Sequence, residues 1–256
     1  MRRLFFLHSH RRGAAVILGA LIGFCAPAQC QEQTVVAPQA ASNRQAGTVE
    51  SVNPGINDSF LDPNLDVESF IDRFEVESRE IYSNRDAVMQ ALGLSAGMTV
   101  ADVGAGTGFY SIAMANVVGP KGQVFAVDIA PKFVEHIRNL SRDVGRDNVS
   151  PVLCDGDSVR LPPASIDLAF SSDVYHHFEY PQLTLGSIHR ALKPDGRWIV
   201  IDFERIEGVS REWTMEHVRA GKETVIAEVE QAGFELVGEK EIEGFKENYF
   251  LEFRKR

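Results

Sequence analysis

The chain has 256 residues, 44% hydrophobic and 24% charged, the usage of a folded globular protein; a wholly disordered, collagenous or multi-span membrane chain is excluded. Lys and Arg number 26 against 36 Asp and Glu, a formal net charge of −10, and no basic run stands out, so no nucleic-acid partner is expected. Three Cys are too few for a disulfide scaffold.

Residues 1–28 read as a signal peptide. Arg2, Arg3, Arg11 and Arg12 precede an apolar run from Ala14 to Phe24, shorter than the ~20 residues of a spanning helix. Ala26-Pro27-Ala28 then supplies small residues for cleavage. Arg2-Arg3-Leu4-Phe5-Phe6 loosely resembles a twin-arginine export signal. Removing four Arg and no acid takes the charge from −10 to −14. The expectation is a periplasmic or secreted protein without a stable membrane span once the leader is gone; the alternative is a cytoplasmic chain whose leader does not function. Cys154 and Cys30 would be the remaining sulfhydryls, and a bridge between them is not expected. Residues 29–66, rich in Gln, Ala, Asn, Pro and Ser, read as a disordered linker.

An N-terminal helical segment follows at 67–97. Phe70, Ile71, Phe74, Val76, Ile81, Val88, Met89 and Leu92 recur as in one or two helices stopped by Gly93. Strands are expected at Thr99–Val103, Gln123–Val127, Val149–Leu153, Ile166–Ser171 and Arg197–Phe203. Helices are expected between them at Tyr110–Val118, Pro131–Val144 and Pro181–Leu192. This alternation predicts βαβ units, a mainly parallel sheet and right-handed crossovers. Gly221–Ala232 reads as a last helix, and Phe234–Ile242 with Asn248–Arg254 as a closing hairpin. The fold class is α/β, a Rossmann-like doubly wound sheet of seven strands, mostly parallel with an antiparallel C-terminal hairpin, helices on both faces.

Asp102-Val103-Gly104-Ala105-Gly106-Thr107-Gly108 joins the first strand to a helix. Glycines there allow positive φ and close backbone approach to a ligand. A dinucleotide loop wants Gly or Ala where Phe109 stands, which disfavours an NAD-dependent dehydrogenase. Asp128 ends the second strand about twenty residues on, where an acid accepts hydrogen bonds from ribose hydroxyls.

The glycine block resembles motif I of the class I S-adenosylmethionine-dependent methyltransferases. Three more stretches are similar to that family in order and spacing: Val127-Asp128, Gly156-Asp157-Ser158 with Leu161-Pro162, and Ile166–Phe170 followed by Leu192-Lys193-Pro194-Asp195-Gly196. The resemblance covers 99–203, and the hairpin extends it to the C-terminus. It implies S-adenosyl-L-methionine as cofactor, held by Asp102, Gly104, Ala105, Gly106, Gly108, Asp128, Ile129, Asp157, Ser158 and Ser172, with Asp157 facing the adenine amino group. The methyltransferase domain then runs 67–256.

Ser171–Pro181 follows the fourth strand, where residues at the carboxyl end of the sheet meet a ligand. His176 and His177 are the candidate catalytic bases, against a structural reading in which one only bonds backbone. No metal site is expected, because adjacent His side chains project apart unless the backbone bends, and no third ligand stands at helical spacing. Tyr175, Trp213, His217 and Arg219 are the candidate acceptor contacts. Arg79, Tyr82 and Arg85, three residues apart, are candidates for a lid face, and Asn248-Tyr249 for a reach toward the acceptor. The sequence lacks the clustered Cys of an arsenite methylase, and Ser172-Asp173-Val174-Tyr175 stands where amino-methylating DNA enzymes carry an Asn-Pro-Pro-Tyr-type tetrapeptide. The expected activity is methyl transfer to a small-molecule or lipid-like acceptor; the alternative is a non-catalytic module in the cell envelope that binds S-adenosylmethionine or S-adenosylhomocysteine.

Overall fold

The computed structural model of the protein describes residues 49–256. The signal peptide read at 1–28, the linker residues up to 48 and Cys30 lie outside the described residues.

Four short helices open the described chain: α1 (Asp58–Leu61), α2 (Val67–Phe74), α3 (Glu80–Ser83) and α4 (Arg85–Ala91). The alternating core follows as β1 (Thr99–Val103), α5 (Phe109–Val118), β2 (Gln123–Asp128), α6 (Pro131–Asp143), β3 (Val149–Leu153), β4 (Ile166–Ser172), α7 (Pro181–Ala191) and β5 (Leu192–Phe203). Then come α8 (Glu212–His217), α9 (Lys222–Gln231), β6 (Phe234–Glu239) and β7 (Asn248–Lys255). The seven strands form one sheet in the order β3-β2-β1-β4-β5-β7-β6. The first five run parallel, and β7 pairs antiparallel to both β5 and β6. The expected architecture is therefore present.

Period-two alternation explains how both sheet faces are covered. Ala101, Ala169, Trp198 and Val200 face one side, packed under Leu185 and Ile188 of α7 and Val225 and Val229 of α9. Val100, Leu168, Phe170, Ile199 and Ile201 face the other, under Val88 of α4 and Met114 of α5. Trp198 is fully buried, and truncating it to Ala would cost about 3–5 kcal/mol. Among the described residues no helix is long and apolar enough to cross a membrane.

The departures from expectation fall outside the regular alternation. The linker read through 66 ends earlier: Ser51 donates to Glu179 Oε2 at 2.8 Å and Val52 N to the Glu179 carbonyl at 2.9 Å. Asn57 Nδ2 reaches the His177 carbonyl at 3.0 Å. Phe60 then joins Phe70, Phe74 and Phe133 in an aromatic cluster against α6. Polar composition hid these few anchoring contacts. The segment 67–97 holds three helices rather than one or two, because Arg79 is extended (φ −92°, ψ 123°). That break dissolves the face proposed for Arg79, Tyr82 and Arg85. β5 begins at Leu192, before the expected Arg197, and β6 stops at Glu239 instead of Ile242. α8 was not expected at all, its six residues being too few to show a period.

Candidate active site

Between β1 and β4 the strand order switches from running outward on one side to running outward on the other, and a cavity opens there at the carboxyl ends of these parallel strands. Its floor is the turn from β1 to α5. Gly104, Gly106 and Gly108 have φ of +78°, +53° and +84°, a region that L side chains avoid. A Cβ on Gly108 would stand 2.8 Å from Ile137 Cγ1. The Val127 carbonyl accepts from Gly104 N at 2.8 Å and Ala105 N at 3.0 Å, tying the turn to β2.

Two buried acids flank this turn. Asp102 accepts a hydrogen bond from Ser111 Oγ at 2.6 Å; burial nonetheless raises its pKa to about 7. Asp128 accepts from Gly106 N at 2.7 Å and from Ala130 N at 2.8 Å, and burial, outweighing these bonds, raises it to about 6. Both face a cavity of about 740 Å³, well within the range of pockets that hold small ligands, ~300–1,000 Å³.

The opposite wall starts where β4 ends. Asp173 is a non-glycine residue at φ +52°; it is ion-paired with Arg79 and accepts from Asn248 Nδ2 at 2.7 Å. Strain of this kind persists where surrounding contacts over-determine it, often at functional sites. A 3₁₀ turn, Tyr175–His177, follows. His176 is 2% exposed. Its backbone N–H donates to Asp202 Oδ2 at 3.1 Å and its Nδ1 lies 2.8 Å from Asp202 Oδ1. Burial alone would raise the Asp202 pKa, but the His176 ring and the N–H groups of His176 and Phe203 hold it below the usual carboxylate value. The bond to Asp202 fixes the His176 tautomer and leaves Nε2 as its available nitrogen.

His177 stands edge-on to Phe60. Burial, reinforced by His176 and His217, lowers its pKa to about 3, so it is neutral in the working range. Its Nδ1 is buried with no hydrogen-bond partner among the described residues, and the Ile56 backbone offsets a small part of the burial effect on the ring. His217 arrives from α8, stacked on Trp213 with ring centroids 4.7 Å apart. One ring nitrogen from each of His176, His177 and His217 lies within 4.8 Å of the others. The expectation that adjacent His rings project apart is thus corrected: the 3₁₀ turn brings the rings of His176 and His177 to 4.4 Å, and α8 supplies a third.

Most of the residues picked from sequence meet in this cavity: Asp102, Gly104, Ala105, Gly106, Asp128, Ile129, Ser158, Ser172, His176, His177, Trp213 and His217 all line it. Gly108 shapes the turn as the residue before α5. Asp157 is exposed and outside the lining, where its neighbours Asp155, Gly156 and Ser158 stand instead. Tyr175 and Arg219 do not face the cavity either. The Tyr175 hydroxyl donates to Glu228 Oε2 at 2.5 Å, and Arg219 holds both oxygens of the same carboxylate, at 2.9 and 2.8 Å. Of the remaining candidates, Asn248 lines the site with Arg79 and Tyr82, whereas Tyr249 is packed in the core and Arg85 turns to Glu77. The sequence places Asp202 in the cluster that follows the fifth strand but gives it no role, although one acid inside the apolar run Trp198–Phe203 is the mark of a buried, partnered carboxylate. Sequence reasoning overlooked Asn57 and Phe60, which close the cavity from the N-terminal side.

A family model described as a methyltransferase domain matches residues 94–253. The chain belongs to that family. Among this chain's relatives, the ubiquinone/menaquinone biosynthesis C-methyltransferase UbiE of Cupriavidus taiwanensis is 30% identical over 117 residues, 44% of this chain and 46% of that protein. The UbiE of Pseudomonas fluorescens is 32% identical over 114 residues, 44% of each chain. The match therefore spans less than half the length of these relatives. The crystal structure of a SAM-dependent methyltransferase from Aquifex aeolicus superposes with a TM-score of 0.65 at 27% identity, over 75% of this chain and 99% of that one. S-adenosyl-L-methionine is the cofactor of this family, and the residues present fit it: a cavity-lining turn whose positive φ angles let backbone approach a ligand, a carboxylate at the end of β2, and buried acids suited to a cationic ligand.

Proposed function

We propose that this S-adenosylmethionine-dependent methyltransferase methylates a small, apolar acceptor carrying an ionisable group. The carrying observation is that the glycine turn with Asp128 and the imidazole group of His176, His177 and His217 line one and the same cavity. When bound, the cofactor supplies a methyl group on a sulfonium that is already activated for displacement. Asp128 and the turn at Gly104–Gly108 would hold the nucleoside, and the acids Asp102 and Asp173 favour the sulfonium charge. The protein's remaining task is alignment and exclusion of water.

Phe60, Phe178, Phe203 and Trp213 line the cavity beside the imidazoles, which favours a flat or hydrocarbon-rich acceptor. The names of the UbiE relatives agree with a ring-bearing, lipid-like acceptor. The volume suits a cofactor together with a small molecule, and the acidic charge disfavours a nucleic-acid acceptor. The leader read at 1–28 supports export as part of this proposal.

The test is calorimetric titration of the full chain with S-adenosylmethionine and S-adenosylhomocysteine beside Asp128→Ala, followed by a radiolabelled methyl-transfer screen over thiols, phenols and quinols. Micromolar binding lost in the variant, with label moved to one acceptor class, supports the reading. A folded wild type that binds neither ligand overturns it.

A further inference from the structure

The ring centroids of His176, His177 and His217 form a triangle with sides of 4.4, 5.2 and 5.2 Å. One side chain comes from each of two successive positions of a 3₁₀ turn, the third from α8, so two elements far apart in sequence converge on one point. The cluster stands at the cavity wall, next to Phe203 and Trp213. Two features separate it from a chance contact of rings. His176 is clamped through Nδ1 by the buried Asp202 carboxylate, the arrangement in which a carboxylate orients an imidazole so that its other nitrogen can bind a cation. His177 has a buried Nδ1 with no hydrogen-bond partner among the described residues. A buried lone pair or N–H with nothing to meet calls for a ligand.

We propose that His176, His177 and His217 together bind one late first-row divalent cation of the zinc class, with an open coordination position turned to the cavity. Three imidazoles and no carboxylate ligand suit Zn²⁺, Co²⁺, Ni²⁺ or Cu²⁺ and disfavour Ca²⁺ and Mg²⁺, which take oxygen. Three nitrogens at most 4.8 Å apart lie within about 2.8 Å of a common centre, against a metal–nitrogen bond of ~2.0–2.1 Å. Small rotations of the three side chains close the gap. Three protein ligands with a fourth place left open is the coordination of catalytic rather than structural sites. There a thiol or acidic hydroxyl binds as its anion, its proton passing to water. The ligand set stands independently of the reaction; only the statement that the open place takes the methyl acceptor rests on the methyl-transfer reading.

The experiment titrates the untagged full chain, stripped with a chelator, with Co²⁺, following the visible ligand-field band, and measures bound metal by equilibrium dialysis. The comparison is His217→Phe, which keeps a ring stacked on Trp213 and removes the nitrogen, with His189→Phe as a control outside the cluster. The expected result is one Co²⁺ per chain with the intense band of a four-coordinate site, displaced by Zn²⁺ and weakened about tenfold or more in His217→Phe, while His189→Phe matches the wild type. S-adenosylmethionine binding persists in His217→Phe, so loss of metal and failure of the cofactor reading are told apart. Equal Co²⁺ uptake by wild type and His217→Phe, or no band in the wild type, overturns the proposal. If His217→Phe does not fold, His217→Asn serves in the same comparison.

Discussion

Gly104 and Val174 face each other across the floor of the cavity: a Cβ on Gly104 would stand 2.4 Å from Val174 Cγ2, closer than such atoms approach. The strand β1 turn and the segment after β4 are therefore interlocked without room for a side chain between them. Gly104→Ala adds both this clash and the strain of φ +78°, together about 2–4 kcal/mol. The expected outcome is a melting temperature lowered by several degrees and S-adenosylmethionine affinity reduced tenfold or more, read by calorimetry. Gly119, with a positive φ but open space around it, is the control: Gly119→Ala should cost only the strain and leave cofactor affinity unchanged.

Asp128 gives the site a pH dependence. Its pKa is raised by burial to about 6, and the ionised form is the one that accepts bonds from ribose hydroxyls. Protonation of Asp128 should lower cofactor affinity about tenfold from pH 7 to pH 5, and Asp128→Asn should lose that share of the dependence, leaving only what Asp102 contributes. The unliganded fold responds in the opposite direction. A carboxyl whose folded pKa lies above its unfolded value of 3.8 binds more protons when folded, so the contributions of Asp102 and Asp128 are full below about pH 4 and are lost as pH rises to about 7. Thermal melts of wild type and Asp102→Asn across that window check the sign: the variant's curve should be flatter.

Tyr175, Glu228 and Arg219 form a closed group beneath the cavity rather than a part of it. Tyr175→Phe leaves one Glu228 oxygen short of a donor and should cost about 1–3 kcal/mol in urea unfolding. Cofactor affinity should not change. A tenfold loss of S-adenosylmethionine binding with unaltered stability would contradict this placement.

Asp202→Asn removes the charge that orients His176 while keeping the shape. If the imidazole cluster binds a cation, the variant should lose about 10–100-fold in Co²⁺ affinity, measured by the same ligand-field titration, with the S-adenosylmethionine isotherm unaltered.

What sequence reveals about this site depends on how local each part is. The glycine turn with Asp102 is written in seven consecutive residues, each with its own backbone or charge requirement, so it was readable directly. Asp128 followed from the strand that must end there. His217 is different. Its meeting with His176 needs α8 to fold back beside β5, and no short-range pattern records that path. Tyr175 and Arg219 were misplaced for the same reason, since the carboxylate that claims them, Glu228, lies on α9. Phe60 and Asn57 were lost inside a stretch whose average composition is polar, where a few anchoring side chains do not alter the mean.

Asp173 takes its partners from both ends of the domain, Arg79 from 94 positions earlier and Asn248 from 75 later. The rim of the cavity is therefore closed only when residues spread from Arg79 to Asn248 have come together. The place for the methyl donor is thus a property of the assembled domain and of no single segment of it.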